Sequence, residues 1–182
     1  MVLHLDCTVR EGSRTRQLAQ AYLKDKQQVT HLDLIDLDIK PLTREMLDKR
    51  TYLLEHGMLQ DPMFDMARQF ASADEIVISA PFWDGSFPSV LKVYIENIYV
   101  IGIVSDYTPE GAPYGLCKAD KLTYITTAGG KYIPDFSYDY IRTVFENNFG
   151  IKESRLIKAE MLDIEGFDCE AILSETISRM QN

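Results

Sequence analysis

Strand-type and helix-type patterns alternate five times along this chain, and that alternation restricts its fold more than any single motif does. Residues 1–6 read as a strand, and Ser13 is a good N-cap for a helix running to about residue 26, with Leu18, Ala19, Tyr22 and Leu23 along one face. Residues 29–37 alternate like an edge strand open on one side. Residues 41–73 are helical in composition, broken near Gly57 and at Asp61-Pro62. The short apolar run 76–79 has the character of a fully buried strand, and a helix is predicted over 88–101 with Pro88 in its first turn. Residues 102–119, with two prolines and three glycines, read as a long irregular segment of the kind that is functional or flexible. Strand 121–127, helix 136–149 ended by Gly150, strand 151–161 and helix 168–180 complete the series.

Such alternation implies an α/β fold: a parallel sheet with helices on both faces and right-handed crossovers. Five strands whose first loop has phosphate-binding character point to the flavodoxin-like order 2-1-3-4-5. No internal repeat, linker or low-complexity stretch interrupts the chain, so a single domain over 1–182 is expected.

The net charge of −9 argues against nucleic acid or an anionic membrane as the main partner, because both require a dominant basic surface. Cys7, Cys117 and Cys169 are widely separated and form no C-x-x-C pair, which suits a reducing cytosol better than a disulfide framework. His4, His31 and His56 lack metal-ligand spacing, so no metal is expected. The chain starts directly in a strand without a basic and apolar leader, and its most apolar stretch, 90–104, is too short to span a bilayer. A soluble cytoplasmic protein acting on small molecules is the expectation.

In the order 2-1-3-4-5, the loops after strands one, three and four lie side by side. The first carries Gly12, Ser13 and Thr15 at a helix start, where unpaired N–H groups and the helix dipole favour an anion. Arg10, Arg14 and Arg16 add positive charge there in an otherwise acidic chain, although a capped helix with solvated arginines has the same pattern. Neither a Walker A motif nor G-x-G-x-x-G is present, which disfavours a nucleoside triphosphate or a dinucleotide held in the Rossmann manner. The loop after strand three, Ala80-Pro-Phe-Trp-Asp-Gly85, brings aromatic rings. The loop Thr126-Thr-Ala-Gly-Gly130 has small residues that let backbone approach a flat ligand. Three convergent loops of this kind suit a mononucleotide with a planar head.

Three segments, Ser13-Arg-Thr-Arg-Gln-Leu18, Ala80 through Lys92 and Ile125-Thr-Thr-Ala-Gly-Gly130, resemble the FMN-dependent NADH:quinone oxidoreductase and azoreductase family. The A-P-(aromatic)-x-x-x-(S/N)-x-P-x-x-L-K pattern is the most specific of the shared features. The resemblance covers nearly the whole chain and is weakest over 41–73. It implies that Ser13, Arg14 and Thr15 hold the FMN phosphate, with Cys7 where such proteins often have serine. Pro81, Phe82, Trp83, Asp84 and Gly85 would flank the isoalloxazine, and Thr127, Ala128, Gly129 and Gly130 would complete its other edge. It further implies a homodimer with sites at the subunit interface, and ping-pong transfer of two electrons from NADH or NADPH to a quinone or azo acceptor. The flavin would do the redox chemistry, with no catalytic side chain needed. Tyr107, Tyr132 and Phe136 are candidates for the substrate face.

Two departures from the family pattern stand out: Asp84 where asparagine is usual, and Ala128 where arginine is usual. Losing a cation and gaining a carboxylate beside a ring that becomes anionic on reduction implies a lower flavin potential. Three alternatives remain at this level: a flavin, nitroaromatic or chromate reductase, an FMN-binding electron-transfer module that does not oxidise NAD(P)H, and a scaffold whose cofactor site has decayed.

Overall fold

A computed structural model describes residues 1–180 of the chain. Five parallel strands form the central sheet: β1 (Val2–Asp6), β2 (Val29–Asp33), β3 (Glu75–Ser79), β6 (Lys121–Thr127) and β7 (Glu153–Ala159). Their order is β2-β1-β3-β6-β7, the expected 2-1-3-4-5 arrangement once the short strands β4 (Ser105–Tyr107) and β5 (Pro113–Gly115) are set aside. β1 is buried along its whole length, and β6 at every residue but the first, as central strands covered on both faces must be.

Strand alternation separates the core into two layers. On one face Leu3, Leu5, Ile76, Ile78, Leu122 and Tyr124 pack against α2 (Arg44–Glu55), α3 (Asp65–Ser72), α4 (Ser89–Ile98) and α5 (Phe136–Thr143). On the other, Val2, Val77, Ile125 and Ile157 meet Leu18 and Ala19 of α1 (Arg14–Leu23) and Leu173 of α6 (Cys169–Met180). Phe70 anchors the larger layer, with Phe145 and Phe149 each 5.5 Å from it between ring centroids. Truncating a fully buried Phe of this kind typically costs about 3–5 kcal/mol.

The expected helix over 136–149 changes character partway. After Thr143 it loosens into a π-turn, Val144–Asn148, in which the Phe149 N–H reaches the Val144 carbonyl at 3.2 Å. Phe145 and Phe149, four residues apart on one face, both lie in the core with no exposure. Residues 102–119 also differ from the irregular reading, because β4 and β5 form an antiparallel hairpin whose register pairs Asp106 with Tyr114. Gly115 lets this hairpin lie against the main chain: a Cβ there would sit 1.9 Å from the Phe149 carbonyl carbon. Pro88 is the N-cap of α4 and not part of its first turn. Among the described residues no helix is long and apolar enough to cross a membrane.

Candidate functional site

β1 delivers the chain into its first loop, and Ser13 ends that loop as N-cap of α1 with its hydroxyl accepting from the Arg16 N–H at 3.3 Å. The first-turn N–H groups of a helix have no acceptor within it, and α1 has no acidic residue in its first turn to compete for them. This is an anion-accepting geometry. It opens on a cavity of about 390 Å³ at the carboxyl ends of β1, β3 and β6. The first loop contributes Val9, Arg10, Gly12, Ser13, Arg14 and Thr15; the loop after β3 contributes Pro81, Phe82 and Trp83; the loop after β6 contributes Thr127, Ala128 and Gly129.

Direct bonds hold the three loops together. Thr15 and Thr127 share a hydrogen bond between hydroxyls at 2.7 Å, buried between the first and third loops. The Phe82 N–H donates to the Thr127 carbonyl at 3.0 Å, joining the second loop to the third. The residues after β7 then form a strap across the third loop. N–H groups of Met161, Leu162 and Asp163 donate to the carbonyls of Gly130, Ala128 and Gly129 at 2.6, 3.3 and 3.1 Å. Leu162 and Asp163 thereby become cavity wall. From the strap, Asp163 reaches Arg14 at 2.5 Å. A Cβ on residue 129 would lie 2.1 Å from an Asp163 carboxylate oxygen, so glycine is what leaves room for that ion pair.

Trp83 is carried on a two-residue turn. Trp83 and Ser86 exchange both backbone hydrogen bonds, at 2.7 and 2.8 Å, and the central residues Asp84 and Gly85 have φ of 47° and 92°. Positive φ at both positions is the type I′ geometry, for which Asp-Gly is a preferred pair. Asp84 is exposed on this turn, and neither it nor Gly85 lines the cavity; Gly130 is also outside the wall.

The sequence placed Cys7 at the site, but strand parity puts its side chain with Leu3 and Leu5 in the larger core layer, fully buried. Burial pushes its thiol well above the usual range, with the charges of Asp6 and Asp33 adding to the effect, so it is neither a cavity residue nor a reactive one. Tyr107, Tyr132 and Phe136 are 49, 73 and 57% exposed and lie outside the cavity wall. Arg16 also turns away from the cavity. Its guanidinium donates to Asp6 at 2.8 Å, to Asp33 at 3.1 Å and to the Thr8 carbonyl at 3.0 Å, which holds the base of the first loop. For Asp6, burial raises the carboxyl pKa, but the hydrogen bonds from the Thr8 N–H and from Arg16 outweigh it and hold the group below its ordinary value.

A family model described as flavodoxin-like fold matches residues 1–182. The chain belongs to this family. Within it, the chain is 38% identical to the FMN-dependent NADH:quinone oxidoreductase 2 of Clostridium acetobutylicum, over 98% of this chain and 94% of that protein. It is 36% identical to the FMN-dependent NADH:quinone oxidoreductase of Clostridium beijerinckii, over the same shares of the two chains. Among solved structures, an azoreductase from Bacillus anthracis superposes with a TM-score of 0.81 over 98% of this chain and 95% of that one, at 22% identity. An FMN-dependent NADH-azoreductase from the same species, in complex with FMN, gives 0.82 over 99 and 95%, at 20% identity. At such identities these superpositions speak for the fold alone.

Proposed function

We propose that this protein is an FMN-dependent oxidoreductase that takes two electrons from NADH or NADPH and passes them to a quinone or azo acceptor. One observation carries the reading: a cavity that joins an anion-accepting helix start to an aromatic wall and a small-residue wall, in a chain whose curated relatives bear this name at 31–38% identity over nearly full length. The residues present fit the cofactor. Ser13, Arg14 and Thr15 sit where the first turn of α1 accepts a phosphate, and Arg10 adds a second cation. The one carboxylate on the cavity wall, Asp163, is already paired with Arg14. Phe82 and Trp83 supply flat apolar surface, and Thr127, Ala128 and Gly129 allow close backbone approach to a ring.

Bound FMN supplies the two-electron chemistry, in a ping-pong order in which oxidised pyridine nucleotide leaves before the acceptor enters. The chain's own residues orient the ring and restrict water. The bond between Thr15 and Thr127 fixes the phosphate loop against the ring loop, and the strap over Ala128 to Gly130 keeps the third loop from opening. A homodimer with Tyr107, Tyr132 or Phe136 at its shared pocket belongs to the same proposal, supported by the exposure of all three aromatics.

The test is the visible absorption spectrum of the purified protein before and after anaerobic NADH, then NADPH. Flavin bands that bleach, and recover on adding a quinone, are expected. Bands that persist with both donors would indicate a non-enzymatic electron carrier. A colourless protein that also fails to take up added FMN would overturn the cofactor assignment itself.

A further inference from the structure

On the face of the sheet under α1, one corner gathers histidine and carboxylate side chains. There β1 and β2 run parallel in a register that pairs His4 with His31 and Asp6 with Asp33, and β3 adds Ser79 beside Asp6. Twenty-seven residues separate the two histidines in sequence, but in the fold their Nδ1 atoms face each other at 2.9 Å. His4, Asp6 and His31 each bring a candidate donor atom within 4.8 Å of the others. The corner opens to solvent through a cleft also lined by Gln20, Lys24 and Asp33, which shares no wall residue with the FMN cavity.

Hydrogen bonding determines where the protons lie. The Asp6 carboxylate accepts only, so the Ser79 hydroxyl donates to it at 3.1 Å. With its one hydrogen committed, Ser79 can only accept from His4 Nε2, at 2.9 Å. His4 therefore carries its proton on Nε2 and turns the lone pair of Nδ1 toward His31, whose own Nδ1–H fills the gap. The far nitrogen of His31, Nε2, lies 3.9 Å from the other Asp6 oxygen. Each imidazole thus has one nitrogen aimed at a common point; the other nitrogen of His4 is tied to the buried Asp6 carboxylate through Ser79, and that of His31 faces the same carboxylate from beyond hydrogen-bond distance. Carboxylates behind histidines in this way are the usual outer shell of imidazole–metal sites.

We propose that His4 and His31 form a second binding site on this protein, for an exchangeable borderline divalent cation of the zinc(II) class. The ion replaces the proton between the two Nδ1 atoms, and that proton moves to His31 Nε2, facing Asp6. Zinc–nitrogen bonds of about 2.0–2.1 Å at a tetrahedral angle separate the two nitrogens by about 3.4 Å, roughly half an ångström more than in the metal-free pair. The half-exposed His31 side chain can supply that movement, while His4 is locked in the sheet. Water from the cleft completes the coordination. Arg16 stays paired with Asp6 and Asp33, and together with Lys24 it offsets their attraction for the ion. Two imidazoles with water make an exchangeable site, in contrast to a closed structural tetrahedron.

The experiment is calorimetric titration of chelator-treated, FMN-loaded protein with Zn²⁺, for the wild type, His31→Gln, Ser79→Ala and the double variant C117S/C169S. Gln at the half-exposed position 31 leaves the fold intact, as circular dichroism and flavin absorbance will verify. One equivalent of Zn²⁺ is expected to bind the wild type and the cysteine variant alike. Affinity should drop at least tenfold in His31→Gln and about tenfold in Ser79→Ala, the usual effect of removing an outer-shell partner. Three results would each overturn the assignment: no saturable heat with the wild type, an isotherm unchanged by His31→Gln, or binding that disappears with the cysteines.

Discussion

Tyr94 offers a stabilising substitution whose size can be worked out beforehand. Its side chain is wholly buried in the larger core layer, edge-on to Phe70 at 6.4 Å between ring centroids. Its hydroxyl is also buried and has no hydrogen-bond partner among the described residues. Burial pushes the phenol's pKa upward, which again marks an unsolvated oxygen. A buried hydroxyl without a partner costs roughly 1–3 kcal/mol relative to water. Phenylalanine keeps the ring and removes the oxygen, leaving a void smaller than a methyl group, so the low end applies. Tyr94→Phe should stabilise the protein by about 1 kcal/mol, or about 2–4 °C in Tm for a chain of this length. Tyr22→Phe is the control of opposite sign, because the Tyr22 hydroxyl donates to Glu75 at 2.8 Å and accepts from Thr123 at 2.9 Å. Losing a bond to a charged carboxylate should destabilise by about 2 kcal/mol. Urea unfolding of flavin-free protein, with equal slopes for all three chains, isolates the effect from cofactor linkage. Destabilisation by Tyr94→Phe of 1 kcal/mol or more, on the scale of a lost hydrogen bond, would refute the reasoning and place an ordered internal water on that hydroxyl.

Gly115→Ala sets a new Cβ 1.9 Å from the Phe149 carbonyl carbon and 2.0 Å from the Gly150 nitrogen, both main-chain atoms that cannot swing aside; thermal melts should show a large loss of stability. In metal-free protein, burial lowers the His4 pKa from 6.5 to about 4, with the charge of Asp6 opposing and that of His31 reinforcing the shift. The unfolded chain therefore takes up this proton first, so the contribution is complete above pH 6.5 and is lost as the pH falls toward 4. At ~1.4 kcal/mol per pH unit it amounts to up to about 3 kcal/mol. Urea unfolding across that range should show the decline, and His4→Gln should flatten it. Ala128→Arg places a cation on the cavity wall and should raise the potential of bound flavin in a spectroelectrochemical titration; an equal or lower potential would remove the expectation drawn from the family pattern.

Sheet order and the main cavity loops were legible because both rest on local patterns. The 121–127 strand shows its β character in its own sequence, and Ser13 announces the helix start that faces the cavity. What the pattern hid depended on contacts between distant segments. Leu162 and Asp163 join the wall only because their N–H groups find the carbonyls of the loop after β6, although their place just beyond the end of the fifth strand was a usable signal. Cys7 was assigned to the cavity by analogy with a serine, whereas counting alternate residues from Leu3 would have turned it into the core. Arg16 read as one of three phosphate cations, and only the meeting of β1 with β2 shows that Asp6 and Asp33 claim it. The same pairing makes neighbours of His4 and His31, which no ligand-spacing rule would join. The β4–β5 hairpin escaped notice because three-residue strands, the second of them carrying a proline and a glycine, have too little periodicity to register.

The turn that carries Trp83 has a practical side. The chain contains a single tryptophan, and the I′ geometry fixes it on the cavity wall with 37% of its surface exposed. Emission excited at the red edge of the ultraviolet band, where the tyrosines scarcely absorb, therefore originates from one known point at the mouth of the site. Occupancy, cofactor exchange and the arrival of aromatic acceptors can all be followed as quenching of that emission, without introducing a label.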